Sequence, residues 1–494
     1  MKQQNWLIMV FISAIPFIVY IPTLSGWFIA DDYGLSSILG MSGKDMLTCI
    51  NLIHDGQLSM YPFRPVAFIS LRLDYLVWGW NSFGFHLTNT VLHSINVFLI
   101  YALVRSLKMS KSAAFSSALF YGLYAGFSEA IIWISCRFDL LSQALFLTSL
   151  LVWISGRGRN SRFLLTISVV LYLVCLFAKE TNVGGLVLFP IIDWVFLRNK
   201  HEHPARLKFW LGWVGALILD IVILTAVRVW LLGNFTGLGR GTGNEQFFGT
   251  SVLDCINHFF QDLLMMLTPV SRLIFTDFSV WYIGIILSVF IIAGIVGAIA
   301  SARNGNSLPC KLLLLGFIWI VFLVSPTLFV NPVDINLGAS RFLYLPCVGL
   351  AIIIGIGIES FRLKPQSYLL GLLAILLASF ILILWQYNNV SYIEAGRIIK
   401  NVDQVLQSNT QDIQNGDTVV IVNMPPLWNG AYFSPNGYTN YLQWIHGRRY
   451  LSLQYTWKDP KDIHDWYQQL KKAQGKHYYG FVWDDTQQVL EPLQ

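Results

Sequence analysis

The stretch WLIMVFISAIPFIVYIPTLSGWFIADDYGL, residues 6–35, decides the class of fold. It opens with an apolar run over residues 6–24, and about 20 apolar residues are enough for a helix to cross the hydrocarbon core of a bilayer. Two adjacent carboxylates, Asp31 and Asp32, follow the run. Because charged side chains at membrane depth are costly, we predict a membrane helix that delivers this acidic pair to one membrane surface.

The composition of the whole chain predicts a membrane protein with many spans. Of its 494 residues, 55% are hydrophobic and 12% are charged, whereas an average soluble domain has about 25% charged residues. Since many apolar runs follow the first, we expect that run to be a retained membrane helix rather than a cleaved signal peptide. The runs lie near residues 6–24, 85–104, 112–127, 138–154, 163–178, 183–197, 208–231, 281–300, 311–330, 342–360 and 367–386.

The loops rich in Lys and Arg indicate the orientation. They follow every second predicted span and read RSLKMSK, GRGRNSR, RNKHEHPARLK, ARNGNSLPCK and FRLKPQ. The positive-inside rule places these loops, together with Lys2, in the cytoplasm. We therefore expect about eleven transmembrane helices in the plasma (inner) membrane, a cytoplasmic N-terminus, and two long extracytoplasmic loops at about 25–84 and 232–280.

The tail of the chain, residues 387–494, differs from the rest. It contains the strand-like runs DTVVIVNMPP and HYYGFVWDD between polar, helix-like stretches. We predict a small extracytoplasmic α/β domain here, attached to an all-α polytopic membrane domain over residues 1–386.

This orientation gathers a set of charged and polar side chains on the outer face. Charges at helix ends often mark only the membrane interface, where Arg and Lys extend towards water, and we favour that interpretation for Arg228. Two adjacent acids are different, because in a partly dry site they raise each other's pKa and suit a base or a cation site. The gathered residues are Asp31, Asp32, Arg64, Glu129, Arg137, Asp139, Lys179, Glu180, Arg341 and Tyr344.

A second polar set lies along one face of the second span. His86, Asn89, His93 and Asn96 recur at helical spacing. Hydrogen bonding between helices explains such a face, and we favour it over a ligand-binding role.

Acids and guanidinium groups on one outer face suit the transfer of a sugar from a lipid phosphate. The attacking hydroxyl needs a positioned base, for which a carboxylate is suitable. The departing phosphate develops negative charge, which guanidinium groups neutralise through paired hydrogen bonds. A lipid-linked donor is expected because nucleotide sugars are not available outside the cell, and the chain shows no phosphate-cradling loop or nucleophile elbow in a suitable context.

Five segments spread over residues 28–350 occur in a recognisable order. They read FIADDYG, YPFRPVAFISLRLDYLVWGWNSFGFHLTNTVLHSINVFLIYAL, SEAIIWISCRFDLLSQALFL, FAKE and RFLYLPCVGL. In these segments the chain resembles the GT-C glycosyltransferases and, more narrowly, the transmembrane and tetratricopeptide-repeat O-mannosyltransferases and their prokaryotic relatives.

The resemblance implies an inverting transfer from a polyprenyl-phosphate sugar to an acceptor hydroxyl on a glycan, lipid or protein. It assigns the binding and activation of the acceptor to Asp31 or Asp32, and we favour Asp31 as the base. The resemblance also implies that acids in the second outer loop assist catalysis, which points to Glu129 and secondarily to Asp139. The resemblance assigns binding of the donor phosphate to basic and polar residues, for which the candidates are Arg64, Arg137, Arg341 and Tyr344. The supporting positions are Asp139, Lys179, Glu180 and His86.

The chain departs from the family pattern in two places. The tetratricopeptide repeats are absent, so a protein acceptor cannot be carried over. The second loop reads YAGFS, with no histidine before Glu129, which puts a metal role there in doubt. No cofactor is certain, although Asp31, Asp32 and Glu129 offer the oxygen ligands that Mg²⁺ or Mn²⁺ prefer.

Two other functions stay open at this stage. A transporter or flippase of lipid-linked sugars usually shows inverted repeats and helices broken by Gly or Pro at mid-membrane, and no matched halves are apparent in the sequence. A surface polysaccharide polymerase or ligase is expected to place its key arginines in a large late outer loop. The 232–280 loop holds only Arg240 and Arg272.

Overall fold

A computed structural model describes the chain over residues 2–35, 63–197, 205–233, 250–272, 277–329, 332–360, 364–425, 427–433, 452–459, 461–473 and 477–493. Each of the eleven predicted apolar runs coincides with helical structure in these ranges. The α-helices are α1 Lys2–Tyr20, α2 Pro65–Trp78, α3 Ser82–Ser106, α4 Lys111–Leu123, α5 Ser128–Ile132, α6 Arg137–Gly158, α7 Arg162–Ala178, α8 Leu188–Ile192, α9 Ala205–Leu232, α10 Val252–Leu267, α11 Asp277–Arg303, α12 Leu308–Val324, α13 Cys347–Ser360, α14 Lys364–Ile383, α15 Asn389–Asn409 and α16 Ile463–Ala473.

The apolar helices establish a multi-pass membrane protein. Within the described residues, seven helical stretches are long and apolar enough to cross a bilayer, and three shorter apolar helices accompany them. The prediction of an all-α polytopic membrane protein with a small C-terminal strand-containing region is confirmed, whereas the exact number of spans stays a prediction. The long stretches are Ser82–Ser106, Ile134–Gly158, Glu180–Leu197, Leu211–Leu232, Trp281–Arg303, Leu308–Thr327 and Ser367–Asn409.

Polar side chains of helix α3 connect this helix to neighbouring loops and helices. Asn81 caps its N-terminus by accepting a hydrogen bond from the backbone N–H of Phe83. Inside the bundle, the Asn89 amide donates to the carbonyl oxygens of Ile131 and Trp133, at 3.1 and 3.3 Å. These two hydrogen bonds fix the segment that contains Ile131 and Trp133 to a membrane-spanning helix.

The same face of α3 also ties neighbouring helices together. His93 Nδ1 lies 2.8 Å from the Tyr344 hydroxyl, and the Asn96 amide donates to that hydroxyl and to the carbonyl of Leu140. Buried polar groups need partners, and here the partners come from other helices. The predicted helix–helix role of this face is confirmed for Asn89, His93 and Asn96.

Helix α10 is strongly amphipathic. Ser251 caps it in a capping box with Asp254. Its polar face contacts Leu328 and Val333: His258 Nδ1 lies 2.8 Å from the carbonyl oxygen of Leu328, and Asp262 accepts a hydrogen bond from the backbone N–H of Val333 at 2.8 Å. Phe260, on the apolar face, is 64% exposed. Such a helix is typical of a segment that lies in the membrane interface.

The C-terminal region contains six short strands. They are β1 Thr418–Val422, β2 Leu427–Trp428, β3 Ala431–Tyr432, β4 Ser452–Thr456, β5 Tyr478–Asp484 and β6 Val489–Pro492. Four of them form a sheet in the order β4-β1-β5-β6, and β2 and β3 form a separate hairpin. Strands β1, β4 and β5 are parallel, and β6 pairs antiparallel with β5.

The C-terminal region packs directly on the loop that follows α1. Helix α15 continues α14 through a π-helical turn, Leu384–Asn388, so the predicted boundary near residue 387 falls inside continuous helix. Gly396 of α15 lies against the first loop, because a Cβ there would be 2.8 Å from the backbone nitrogen of Trp27. Lys400 Nζ lies 4.8 Å from the Trp27 ring centroid.

Candidate active site

Glu129 and Arg341 form a buried ion pair between the second predicted outer loop and the 3-10 helix Ser340–Leu343, which precedes α13. Glu129 lies in the first turn of the short helix α5 and is 1% exposed. One carboxylate oxygen contacts the Arg341 guanidinium, and the other accepts hydrogen bonds from the Ser340 hydroxyl at 3.1 Å and the Arg341 backbone N–H at 3.2 Å. Burial lowers the pKa of Arg341, but Glu129 and the other nearby acidic groups together raise that pKa above its ordinary value.

Aromatic rings surround the Arg341 guanidinium. Its Cζ lies 4.7 Å from the ring centroid of Phe342, 5.0 Å from Trp133 and 5.7 Å from Tyr432. Each ring attracts the cation through its π-face. Trp133 and Tyr432 also stack on each other, with centroids 4.9 Å apart and an interplanar angle of 27°. The side chain of Arg341 stays 22% exposed, so the held cation still reaches the surface.

A second ion pair joins Lys179 to Asp139. Both side chains are 3% exposed and in direct contact. Lys179 Nζ lies 5.3 Å from the Phe342 ring, which therefore contacts cations of both pairs. The charges of Arg64 and Arg341 both act on Lys179. The two pairs thus belong to one electrostatic group.

Glu180 is shared by two arginines. Its carboxylate contacts the Arg64 guanidinium and accepts a hydrogen bond from Arg228 Nη2 at 2.7 Å. Arg228 is only 2% exposed, so the prediction that it snorkels is wrong. The sequence carried no signal for this contact, because Arg228 reaches Glu180 from a different helix.

These three sites form what we call the outer charge cluster: Arg64, Glu129, Asp139, Lys179, Glu180, Arg228 and Arg341. It contains four cationic and three anionic side chains and so has a net charge of one positive. An apolar cluster borders it, formed by buried Phe63, Leu231 and Leu232 with partly buried Phe177 and Val227. A net positive group beside apolar side chains suits a lipid phosphate.

The acidic pair of the first loop divides into two environments. Asp32 is 0% exposed and accepts hydrogen bonds from the backbone N–H of Ile29 at 3.1 Å and from the backbone N–H and hydroxyl of Ser135 at 2.8 and 2.7 Å. Burial raises the pKa of Asp32 to about 7, against the opposing effect of these donors. Asp31 is only half-buried. Asp32 therefore joins the first loop to the second, and its neighbour is the more accessible acid.

The hydrogen bonds from Ser135 to Asp32 attach the acidic pair to a segment that also contacts two arginines of the outer charge cluster. Ser135 lies two residues after Trp133, which covers Arg341, and three before Phe138, whose ring is 4.9 Å from the Arg64 guanidinium. Ser135 and Trp133 are contacts that the sequence analysis missed, since neither residue type signals such a role.

Arg137 and Tyr344 lie elsewhere than predicted. Arg137 is 0% exposed and donates to Asp74 at 2.6 Å, to Asn89, to the Ser70 hydroxyl and to the carbonyl of Phe85. The Tyr344 hydroxyl is hydrogen-bonded inside the bundle, as described above. This geometry favours structural roles for both residues over the predicted contact with a donor phosphate.

His86 lies apart from the outer charge cluster, and the described structure does not bring Asp31, Asp32 and Glu129 together as one group of metal ligands. His86 is 3% exposed, and its Nε2 would lie 3.1 Å from a Cβ on Gly26, so it packs under the first loop. Among the residues that the structure describes, no group of three or more His, Cys, Asp or Glu side chains could hold a metal ion. The carboxylates of Asp32 and Glu129 instead face hydrogen-bond donors, which does not fit a shared Mg²⁺ or Mn²⁺ site.

Comparison with known proteins confirms the resemblance to the O-mannosyltransferases. No family model matches the chain. The protein O-mannosyl-transferase Tmtc1 of Drosophila melanogaster is 26% identical over 191 residues, which are 37% of this chain and 22% of that protein. The human protein O-mannosyl-transferase TMTC4 is 24% identical over 347 residues, 60% of this chain and 47% of that protein. The chain thus spans less than half the length of either relative.

Solved structures identify the fold as that of the GT-C enzymes. ArnT from Cupriavidus metallidurans in the apo state aligns over 98% of this chain and 94% of its own, with a TM-score of 0.53 and 12% identity. The oligosaccharyltransferase AglB from Archaeoglobus fulgidus, in complex with an inhibitory peptide and a dolichol-phosphate, aligns over 90% of this chain and 64% of its own, with a TM-score of 0.51 and 11% identity.

Proposed function

We propose that this protein is a membrane glycosyltransferase that moves a sugar from a polyprenyl-phosphate carrier to an acceptor hydroxyl on the extracytoplasmic face. The observation that carries the proposal is the outer charge cluster, with its net positive charge and its apolar border. The named activity of the sequence relatives, protein O-mannosyl transfer, and the dolichol-phosphate bound to the AglB structure support the same class of donor.

The donor phosphate is assigned to the cationic side chains of the cluster. Arg341 is held on one side by Glu129 and aromatic rings, and its partly exposed edge offers N–H groups to a phosphate oxygen. Arg64 and Arg228 share a single carboxylate, so one of their two charges is left for the ligand. The prenyl chain then lies along the apolar residues at the outer ends of α7 and α9.

The leaving group explains why cations are concentrated here. Transfer breaks the bond between the anomeric carbon and the phosphate oxygen, and the prenyl phosphate takes the electron pair. Negative charge grows on that phosphate in the transition state. Fixed cations stabilise the developing charge more than the ground state, which is what accelerates a reaction.

The acceptor is activated from the first loop. Asp31 is the partly exposed acid of the pair, whereas Asp32 is occupied by Ile29 and Ser135. The acceptor oxygen attacks the anomeric carbon from the face opposite the phosphate, and the Asp31 carboxylate accepts the proton of the acceptor hydroxyl. Attack from that face inverts the anomeric configuration.

The test is turnover by the purified full chain in lipid nanodiscs that contain a synthetic polyprenyl-phosphate mannose. We expect release of polyprenyl phosphate, followed by mass spectrometry of extracted lipid. Arg341→Ala should weaken binding of the donor at least tenfold. Arg303→Ala, in the last turn of α11, is the matched control and should not.

Two outcomes would overturn the proposal. If the protein carries intact donor across vesicle bilayers without cleaving it, it is a transporter. If donor binds equally well to the Arg341→Ala variant and the unaltered chain, the phosphate is not held by this cluster.

A further inference from the structure

The β2–β3 hairpin of the C-terminal region is a rigid projection. Its strands, Leu427–Trp428 and Ala431–Tyr432, pair antiparallel across a two-residue turn. The turn residues Asn429 and Gly430 have φ angles of +47° and +87°. An Asn-Gly turn with both angles positive matches the twist of the flanking strands, so the hairpin holds its shape with very few residues.

The tip of this hairpin is fitted against the membrane region. A Cβ on Gly430 would lie 2.8 Å from the carbonyl oxygen of Asn336, which leaves no room for a larger residue. Asn429 and Gly430 line a small pocket together with Glu129 and Ser340. The turn therefore docks beside the Glu129–Arg341 pair.

The last residue of the hairpin reaches the cation itself. Tyr432 stacks on Trp133, and its ring centroid is 5.7 Å from Cζ of Arg341. The Arg341 guanidinium also interacts electrostatically with the Tyr432 hydroxyl. Of the three rings that lie over Arg341, Trp133 and Phe342 come from the membrane region, and Tyr432 comes from the C-terminal region.

We propose that the hairpin is part of the active site and that Tyr432 is a positioning residue, which holds Arg341 in the orientation that binds the donor phosphate. This inference rests on the proposed function for the identity of the ligand. An arginine side chain loses rotamer entropy when it is fixed, and contacts that fix it beforehand remove that loss from the binding step. The C-terminal region thereby sets the affinity for the donor.

The proposal requires that Tyr432 act through Arg341, which a double-mutant cycle measures. A desolvated cation–π contact corresponds to a factor of about 5 to 30 in an equilibrium constant. Tyr432→Leu should raise the KM for polyprenyl-phosphate mannose by that factor and leave kcat within about twofold. Tyr432→Phe, which keeps the ring and loses the hydroxyl, should give an intermediate KM.

The cycle partner is Arg341→Lys, which keeps the charge and loses the planar guanidinium. In that background, Tyr432→Leu should change KM by less than about twofold. An equal effect of Tyr432→Leu in both backgrounds would overturn the positioning role. Tyr479→Leu, in strand β5 of the four-stranded sheet, is the control for general damage to the C-terminal region and should leave KM unchanged.

Two further measurements keep the test independent of folding and of the donor. Gly430→Ala, which displaces the hairpin tip, should reproduce the rise in KM while Tyr432 is intact. Thermal unfolding of the same four cycle variants without donor should show coupling between positions 341 and 432. Coupling in unfolding with no turnover by any variant would mean that the contact is real and the proposed function is wrong, whereas additive unfolding effects would overturn the contact.

Discussion

The two acids of the first loop should separate into a catalytic residue and a structural one. Asp31→Asn removes the proposed base, and general bases contribute about 10²- to 10⁴-fold to a rate. Turnover of polyprenyl-phosphate mannose should fall by that factor. The free energy of unfolding should change by no more than about 0.5 kcal/mol, as for a substitution outside the core.

Asp32→Asn should have the opposite profile. All three polar neighbours of Asp32 donate hydrogen bonds to it, and an asparagine offers only one accepting oxygen. If that oxygen faces Ser135, the amide group is turned towards the Ile29 N–H, and one buried donor loses its partner. The expected loss is about 1–3 kcal/mol in the free energy of unfolding, with a smaller fall in turnover than in the Asp31 variant.

The assay pairs lipid-phosphate release with thermal unfolding of the two variants in the same detergent. Donor binding should survive in Asp31→Asn, since that residue acts on the acceptor. Full turnover by Asp31→Asn would refute its role as base. Loss of turnover in Asp32→Asn at an unchanged melting temperature would show that the two roles are reversed.

Three further predictions concern stability, donor binding and pH. Arg137→Leu leaves Asp74 buried without its cation, so the free energy of unfolding should fall by about 3–5 kcal/mol; an unchanged melting temperature would argue against the structural role. Arg228→Gln should lower kcat/KM for the donor about tenfold, because this cation serves both the bound and the departing phosphate. Arg303→Gln should leave kcat/KM unchanged, and equal values for Arg228→Gln and the unaltered chain would remove Arg228 from the site. The pKa of Asp32 is raised to about 7, so the contribution of this group to the free energy of unfolding is complete below about pH 4 and is lost as the pH rises through 7. The loss is about 4 kcal/mol at most. Melting temperatures of the unaltered chain should show it, and those of Asp32→Asn should not.

Much of the membrane region was predictable because the bilayer imposes one strong rule. Helices that cross it must be apolar over a known length, so the runs in the sequence coincide with helices in the structure. The acids and bases at their outer ends were also visible, and Glu129, Arg341, Lys179 and Glu180 do lie in one cluster. The hydrogen-bonding face of α3 followed from helical spacing alone.

The partners within the cluster were not predictable, since they join residues that are far apart in the chain. Nothing in the sequence distinguishes Arg137, which is enclosed by Asp74 and Asn89, from Arg341, which stays open to the surface. Tyr432 lies about 90 residues beyond Arg341 in an aromatic-rich stretch that a small domain core explains equally well. Such contacts depend on how the chain returns to the outer face, which local patterns do not encode.

The central claim is tested most directly by measuring from which membrane leaflet the donor is cleaved. The purified chain would be reconstituted in proteoliposomes of one orientation, with labelled polyprenyl-phosphate mannose presented in either leaflet. We predict that donor in the leaflet facing the C-terminal region is cleaved to polyprenyl phosphate, and that donor confined to the other leaflet is untouched. Cleavage from the opposite leaflet alone, or none from either, would contradict an extracytoplasmic glycosyltransferase.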